Sequence, residues 1–594
     1  MADVCTFTHI NLDYSFDTSM LTTCLASLVL CSANVSFKFA PKPTFQPLPS
    51  RRQLNSTYRW SLLVTYLQIP SNVPTAISAI DKAAAAGYNG VILQDWGLTA
   101  SYPLSSAYKT ALATVLAEAK NKGIEVIPAI LPSGSGPEIL TLNPSLVESM
   151  PVQNVHYTVH NRKLELSESP ISVVNASFES FNNGAPTGFT GASNSDATIG
   201  QDTATYHSGT SSLRIDGHTP TLTTGGAWYN QTVAVSPWHQ YRLTLWSMSS
   251  GASGSNMYLN ALSPSGQQLS FMQKWTNTSG WVQNEVVFNS QANSSITISI
   301  GAQPSAGASI WVDDLAITDV GLLNVTRRTD CPLVIKGTNG TTYQEGKDVN
   351  TISDPNIAAH PGSFDTTHTP PTPTVPNGSG LVHGNQVALS FEAAAVLGGT
   401  GVCACFSEPG TQALITEEIQ EIIPLFNPKH VLLDTDETRI IGWDPACSSR
   451  NLTGGEIFGN LVQQEAALVH KVSPSIQIVM YSDMFDPNAN SQANYYLVNG
   501  GTLGTASFLP SNSLILNWGF KQPQASLDYF SQLGFSQVLF GYYDNTGVAP
   551  PIGLWAQMAE SVARVEGFVY VSYLQDFSNL ATFSQQAIAA NPSH

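Results

Sequence analysis

Between Trp60 and Leu131 the chain alternates short apolar runs with amphipathic stretches. SLLVTYL, GYNGVILQDW and IEVIPAILP are continuous apolar runs rich in branched residues, the pattern of strands buried on both faces. Between them, Ala76–Ala86 and Tyr108–Lys122 have the makings of helices, and each ends at a glycine, Gly87 and Gly123, as helices often do. The rhythm stops near residue 150. From Ile171 to Thr318 the segment is all-β, with short alternating runs such as YRLTLWSMS and SSITISIGA set between Gly, Ser and Asn turns. The short β-like runs CPLVIKG and TTYQEG follow, then THTPPTPTVPNGSG, whose Pro/Thr composition predicts an extended connector. After about residue 385 strand and helix alternate again. Helices are expected over Thr411–Phe426 and Gly455–Val472, with strands KHVLLDTDE, IQIVMYSDMF, SLILNWGF, SQVLFGYYDN and FVYVSYLQD.

The count comes to seven barrel-type strands, with VALSFEA set aside as a connector strand and an eighth expected to be hidden. The economical architecture is α/β, a (β/α)8 TIM barrel with an all-β jelly-roll sandwich inserted after its third strand. Its parts are a leader and N-terminal tail over 1–55, barrel segments over 56–150 and 391–594, the sandwich over 171–318, and a β-rich connector over 319–390. An open doubly wound sheet is the alternative. That fold wants a glycine-rich phosphate loop after the first strand, and TYLQIPSN is not one.

Composition narrows the partners. Charged residues are 11% of the 594, and 24 Lys and Arg face 42 Asp and Glu, a formal net charge of −18. Nothing supplies the cationic surface that a nucleic acid or an anionic membrane requires. No segment is long and apolar enough for a transmembrane span. Met20–Ala33 has the length of a signal-peptide core and ends in small residues, which predicts export to the periplasm or the medium, although no Lys or Arg precedes it. The cysteines number seven, and the absence of any CxxC pair gives no zinc spacing.

In a barrel the chemistry belongs at the C-terminal ends of the strands. Reading those ends gives Gln94, Asp95 and Trp96; Asp434, Asp436 and Glu437; Tyr481, Ser482 and Asp483; Asn517 and Trp518; Tyr542, Tyr543 and Asp544; and Tyr573, Gln575 and Asp576. Aromatic faces stack on the C–H faces of sugars, and carboxylates bind hydroxyls or move protons. With no Lys or Arg read at these ends, the ring suits a carbohydrate better than a phosphate ester. DTDET is its densest part. Three carboxylates in four residues repel one another, so at least one pKa is expected to rise, as a glycosidase's general acid requires.

IEVIPAILPSGSG resembles the third-strand motif of glycoside hydrolase family 20, the β-N-acetylhexosaminidases. CFSEPGTQALITEEIQEIIPLFNPKHVLLDTDET resembles that family's following helix and fourth strand, which ends in an Asp-Glu pair. The resemblance covers roughly residues 60–145 and 395–580 and implies a retaining, substrate-assisted hydrolysis without a catalytic cofactor. By it, Glu437 is the acid/base and Asp436 orients the substrate's 2-acetamido group. Asp95, Trp96, Asp434, Tyr481, Asp483, Trp518, Tyr542, Tyr543 and Tyr573 are then expected around the sugar. This sequence departs from the family at Leu432, where a histidine is usual, and in lacking an arginine in SLLVTYLQ. VVNASFES, HSGTSSLRIDG, YRLTLWSMSSG, GWVQNEVVF and SIWVDDLAI follow the landmarks of jelly-roll carbohydrate-binding modules. That resemblance implies a structural calcium at Glu179 with Asp313 or Asp314. Two alternatives stay open. One is a two-carboxylate glycosidase with Glu437 as acid and Asp483 or Glu392 as its second carboxylate. The other is a sugar-binding protein on an inactive barrel.

Overall fold

The computed structural model describes residues 57–589, apart from the short segments 131–133, 135, 194–196, 219–225, 252–254, 276–277, 358–363, 365–367, 399–400 and 545–548. The leader and Met20–Ala33 lie outside the described residues. Eight strands close a barrel: β1 (Tyr58–Thr65), β2 (Gly90–Asp95), β3 (Glu125–Ile130), β4 (His430–Leu433), β5 (Gln477–Tyr481), β6 (Leu514–Asn517), β7 (Ser536–Tyr542) and β8 (Val565–Val571). Neighbours are parallel and in chain order, and β8 returns to β1 with Tyr58 opposite Gly567. No strand is hidden: the eight strand-like runs, SLILNWGF among them as β6, already supply all eight, and the count of seven is one short. The main helices of the barrel segments are α1 (Asn72–Ala85), α2 (Ser106–Asn121), α3 (Pro409–Phe426), α4 (Gly454–Val472), α5 (Pro523–Gln532), α6 (Ile552–Ala559) and α7 (Leu580–Ala589). Thr453 and Glu456 make a reciprocal capping box at the start of α4. Leu62, Ile92, Leu432, Val479, Leu516, Leu539 and Val569 are fully buried in the barrel core, each worth about 1.5–3 kcal/mol as removed apolar surface.

VALSFEA belongs to Gln386–Ala394, which pairs antiparallel with Ser149–His160 in a separate five-stranded sheet. Lys163–Leu166, Val334–Gly337 and Thr342–Tyr343 complete that sheet. The connector therefore has a core of its own, around Val155, Tyr157, Val387 and Leu389. The inserted segment forms two five-stranded antiparallel sheets. Leu243, Leu245 and Phe288 of one sheet meet Leu259, Ile298 and Ile300 of the other in a shared core, the cross-section of a β-sandwich. The sandwich leans on the barrel. The Phe271 and Tyr496 rings lie 5.9 Å apart, and Gln267 Nε2 donates to the Tyr496 carbonyl at 2.8 Å.

Candidate active site and carbohydrate-binding face

The chain leaves β4 as Asp434-Thr435-Asp436-Glu437-Thr438 and is clamped at once by the loop after β3. Thr438 Oγ1 donates to the Gly134 carbonyl at 2.8 Å, and a Cβ on Gly134 would sit 1.9 Å from the Asp436 carbonyl oxygen. Only glycine allows that approach. Asp434 points inward: it is buried and accepts from Gln94 Nε2 at 3.0 Å, with the Asp436 amide at 3.3 Å. Asp434 thus shapes the loop from below and is not among the described residues lining the cleft.

Asp436 and Glu437 line a cleft of about 360 Å³, measured with its open mouth, together with Trp518, Phe520, Phe540, Tyr542 and Tyr573. Asp483 lies beneath them, 1% exposed, and its Oδ2 accepts from the Glu437 amide at 3.0 Å and from Asn490 Nδ2 at 2.9 Å. Glu437 holds φ at +45°, the left-handed region that a non-glycine residue rarely adopts. Its carboxylate is ion-paired with Arg439 at 2.7 Å, and the Arg439 guanidinium lies 4.9 Å over the Tyr496 ring. Burial, then the charges of Asp483, Glu437 and Asp434, pushes the Asp436 carboxyl well above its ordinary value. Burial, opposed by the Asn490 hydrogen bond and reinforced by Glu437, pushes Asp483 up to about 7. One oxygen of each, Asp436 Oδ1 and Asp483 Oδ1, is buried with no hydrogen-bond partner. The rise expected in DTDET therefore falls on its aspartates, and Glu437 is the member matched to a cation.

Of the other expected sugar contacts, Trp518, Tyr542 and Tyr573 reach the cleft, with the Tyr542 and Tyr573 rings 5.8 Å apart. Several do not. Asp95 is fully buried and spends its carboxylate on the Tyr108 hydroxyl at 2.7 Å and the Gly97 amide at 2.8 Å. It is a clasp between β2 and α2. Trp96 caps the short helical turn Gly97–Ala100 and is not among the described residues lining the cleft. Tyr481 is 1% exposed and packs edge-on against Phe540 inside the barrel. Tyr543 alternates away from Tyr542, stacks 5.3 Å from Tyr570, and its hydroxyl accepts from Asn579. Glu392 sits in the connector sheet, with Oε2 accepting from Ser149 Oγ at 3.3 Å. It is not among the cleft residues, so it is no second carboxylate there.

Three participants escaped the sequence reading. Arg439 supplies a cation two residues past Glu437, where none was read. Phe540 lies two positions before Tyr542 on the same face of β7, a period-two signal available in SQVLFGYYDN. Phe520 packs 5.8 Å from Trp518.

On the sandwich, Glu179, Asp313 and Asp314 do face one loop. Asp313 accepts from the His207 and Ser208 amides at 2.8 and 3.2 Å, Asp314 from His207 Nδ1 and Ser208 Oγ at 2.6 and 2.7 Å, and Glu179 from the Thr210 amide at 2.9 Å. As placed, they fit a hydrogen-bonded clasp rather than an oxygen cage. A calcium would have to displace these donors.

The outer face of the sheet formed by Ala227–Ala234, Ser295–Gln303 and Asn256–Leu262 has a different character. Trp228 and Tyr258 lie 5.0 Å apart, and a Cβ on the intervening Gly301 would strike the Trp228 ring at 2.2 Å. Asn230, Asn256 and Asn260 flank them, and each has a buried Oδ1 with no hydrogen-bond partner. Unmatched amide oxygens are costly, and sugar hydroxyls are donors that satisfy them.

Residues 172–307 match the family described as a carbohydrate binding domain. Carbohydrate is accordingly the partner class of this chain. No curated protein matches it. Among solved structures, TmCBM61 in complex with β-1,4-galactotriose is 16% identical, with 25% of this chain and 99% of that one covered at a TM-score of 0.21. The CBM22-1 xylan-binding domain of Paenibacillus barcinonensis Xyn10C is 16% identical over 24% and 91%, at a TM-score of 0.18. The arabinose-bound MgGH51 α-L-arabinofuranosidase is 10% identical over 71% and 76%, at a TM-score of 0.22. No helix among the described residues is long and apolar enough to cross a membrane.

Proposed function

We propose that the chain is an exported glycoside hydrolase, with a (β/α)8 barrel that cleaves the bond and a sandwich that holds the carbohydrate. The observation that carries this reading is the cleft in which two carboxyls on one wall, Asp436 and Glu437, face the aromatic rings of Trp518, Tyr542 and Tyr573. The aromatic wall offers a stacking surface for a sugar ring. Among the described residues, the carboxyls at the cleft all come from the ends of β4 and β5. The β7–β8 side presents tyrosines instead, and Asp544 there is spent on Ser572 Oγ and the Tyr573 and Leu574 amides. A double displacement needs a protein carboxylate opposite the acid, whereas a substrate-assisted reaction takes its nucleophile from the sugar's own 2-acetamido oxygen. The one-sided arrangement favours the second.

Within that mechanism, Asp436 over Asp483 is the proton holder. Asp483 is buried and Asp436 lines the cleft above it, and two interacting carboxyls keep a proton between them that one of them can give to the leaving oxygen. Glu437, fixed by Arg439, is the anion that draws the acetamide N–H and balances the positive charge of the cyclised intermediate. The family resemblance gives the opposite order of roles. On the sandwich, Trp228, Tyr258 and the three asparagines form the carbohydrate-binding face.

A panel of aryl glycosides, with and without a 2-acetamido group, tests the reading. Turnover confined to 2-acetamido sugars is expected. A trapped glycosyl-enzyme on a protein carboxylate, or no turnover of any member, overturns it. Retention on an insoluble polysaccharide tests the sandwich separately. Trp228→Ala is expected to weaken it ~10-fold or more, the size of a lost aromatic anchor.

A further inference from the structure

Outside the cleft, the chain buries a second chemically active group. Glu148, at the entry to the connector sheet, meets Cys405, ahead of α3, and Cys447, in the short helix Pro445–Ser448. All three are fully buried. Cys405 Sγ and Cys447 Sγ are 3.6 Å apart, Cys447 Sγ and Glu148 Oε2 are 3.4 Å apart, and one ligand atom from each residue lies within 4.8 Å of the other two. We propose that Glu148, Cys405 and Cys447 bind a divalent cation of the zinc class.

Three observations support this. The first is shape. A tetrahedral zinc with sulfur at ~2.3 Å and oxygen at ~2.0 Å sets S···S and S···O edges of about 3.8 and 3.5 Å, and the two measured edges lie close to those values. The second is charge. Glu148 Oε1 accepts the Trp443 and Asp444 amides at 2.7 and 3.0 Å, while Oε2 faces only the Cys447 thiol. Of the nearby cations, Arg328 is committed to Asp330, Glu408 and Asp444, and Arg450 donates to Ser407 Oγ at 3.0 Å. A carboxyl buried beside a thiol and without a cation is an expensive arrangement unless a proton or a metal accompanies it. The third is the donor set. Two sulfurs and one carboxylate oxygen are among the ligand atoms that zinc takes. Ser407 Oγ, 3.2 Å from Cys447 Sγ, marks the fourth corner, where a hydroxyl or a water completes the set.

Binding would displace the thiol protons, Cys405 and Cys447 ligating as thiolates and Glu148 as carboxylate, with no electron transferred. The site would be closed and structural. It would pin the segment after β4, which carries Asp436, Glu437 and Arg439, to the connector sheet and to the start of α3.

The test uses the full chain purified in the presence of zinc, with elemental analysis, a thiol count after unfolding and cobalt substitution. About one zinc per chain is expected, released to a chromophoric chelator on unfolding, with a thiolate-to-cobalt charge-transfer band in the substituted protein. Cys447→Ser should abolish that band, and Glu148→Gln should weaken metal retention by ~10-fold or more with an unchanged circular dichroism spectrum. If either variant fails to fold, the cobalt spectrum of the unaltered chain decides alone. A metal-free chain with both thiols titratable after unfolding overturns the proposal, and so does a peptide carrying a Cys405–Cys447 disulfide.

Discussion

Carboxylates at the barrel mouth and on the sandwich are the same chemical group in opposite situations. At the mouth, Asp434, Asp436 and Asp483 are packed together and desolvated, and their pKa values rise. On the sandwich, the Thr210 hydroxyl and amide pull Glu179 down. Against some burial, His207 and Ser208 pull Asp314 down. In both places the charge is met locally, since the chain has few charged residues to spare. The sandwich does it with N–H and O–H donors, so Glu179 and Asp314 stay ionised and act as structural clasps, while burial pushes their neighbour Asp313 up against the His207 and Ser208 amides. The mouth leaves oxygens of Asp436 and Asp483 without donors and so keeps a proton in play. Burial without partners makes an acid useful for chemistry, and burial with partners makes it useful for architecture.

The sharpest way to break this contrast is to remove the two mouth groups one at a time. Asp436→Asn should lower kcat/KM for 2-acetamido substrates by ~10²-fold or more, and most for poor leaving groups, which depend on proton donation. Glu437→Gln should cost a similar factor whatever the leaving group. A reversed pattern, with leaving-group dependence following Glu437, would restore the roles that the family resemblance implies.

A smaller effect is expected in stability. Folding raises Asp483 to about 7 from an ordinary ~3.9. Its contribution is therefore fully present below ~pH 4 and is lost as pH rises through about 7. Asp95, raised to about 6 chiefly by burial against its hydrogen bonds, adds to the same slope. Thermal melting should occur a few degrees lower at pH 8 than at pH 5, and Asp483→Asn should flatten that dependence. A melting temperature that climbs between these pH values contradicts the buried-proton picture.

The smallest effect belongs to the sandwich. Because His207, Ser208 and Thr210 already satisfy Glu179, Asp313 and Asp314, adding calcium or a calcium chelator should move the melting temperature by less than ~1 °C. A calcium-dependent gain of several degrees, of the kind that ligand linkage produces, would show that these carboxylates turn to an ion instead.

The sequence alone determined the parts whose physics is local. Continuous apolar runs such as GVILQD and QIVMY mark barrel strands because a strand covered on both faces has no polar side. Gly87 and Gly123 mark helix ends because their positive φ is open to glycine. The cleft residues Asp436, Glu437, Trp518, Tyr542 and Tyr573 were legible because strand ends project to one mouth. What only the tertiary structure decided depends on which segments meet. Asp95 looked like a strand-end ligand until Tyr108 and Gly97 closed on it. Gln386–Ala394 had the pattern of a strand, but nothing local could say that Ser149–His160 would be its partner. Arg439 became part of the site through an ion pair and a ring stacked from the β5–β6 connection. Glu148, Cys405 and Cys447 have no motif spacing at all, successive members standing 257 and 42 positions apart. Their proximity is set by the packing of the connector sheet, the start of α3 and the segment after β4, because distance in a folded chain is fixed by contacts that sequence separation does not encode.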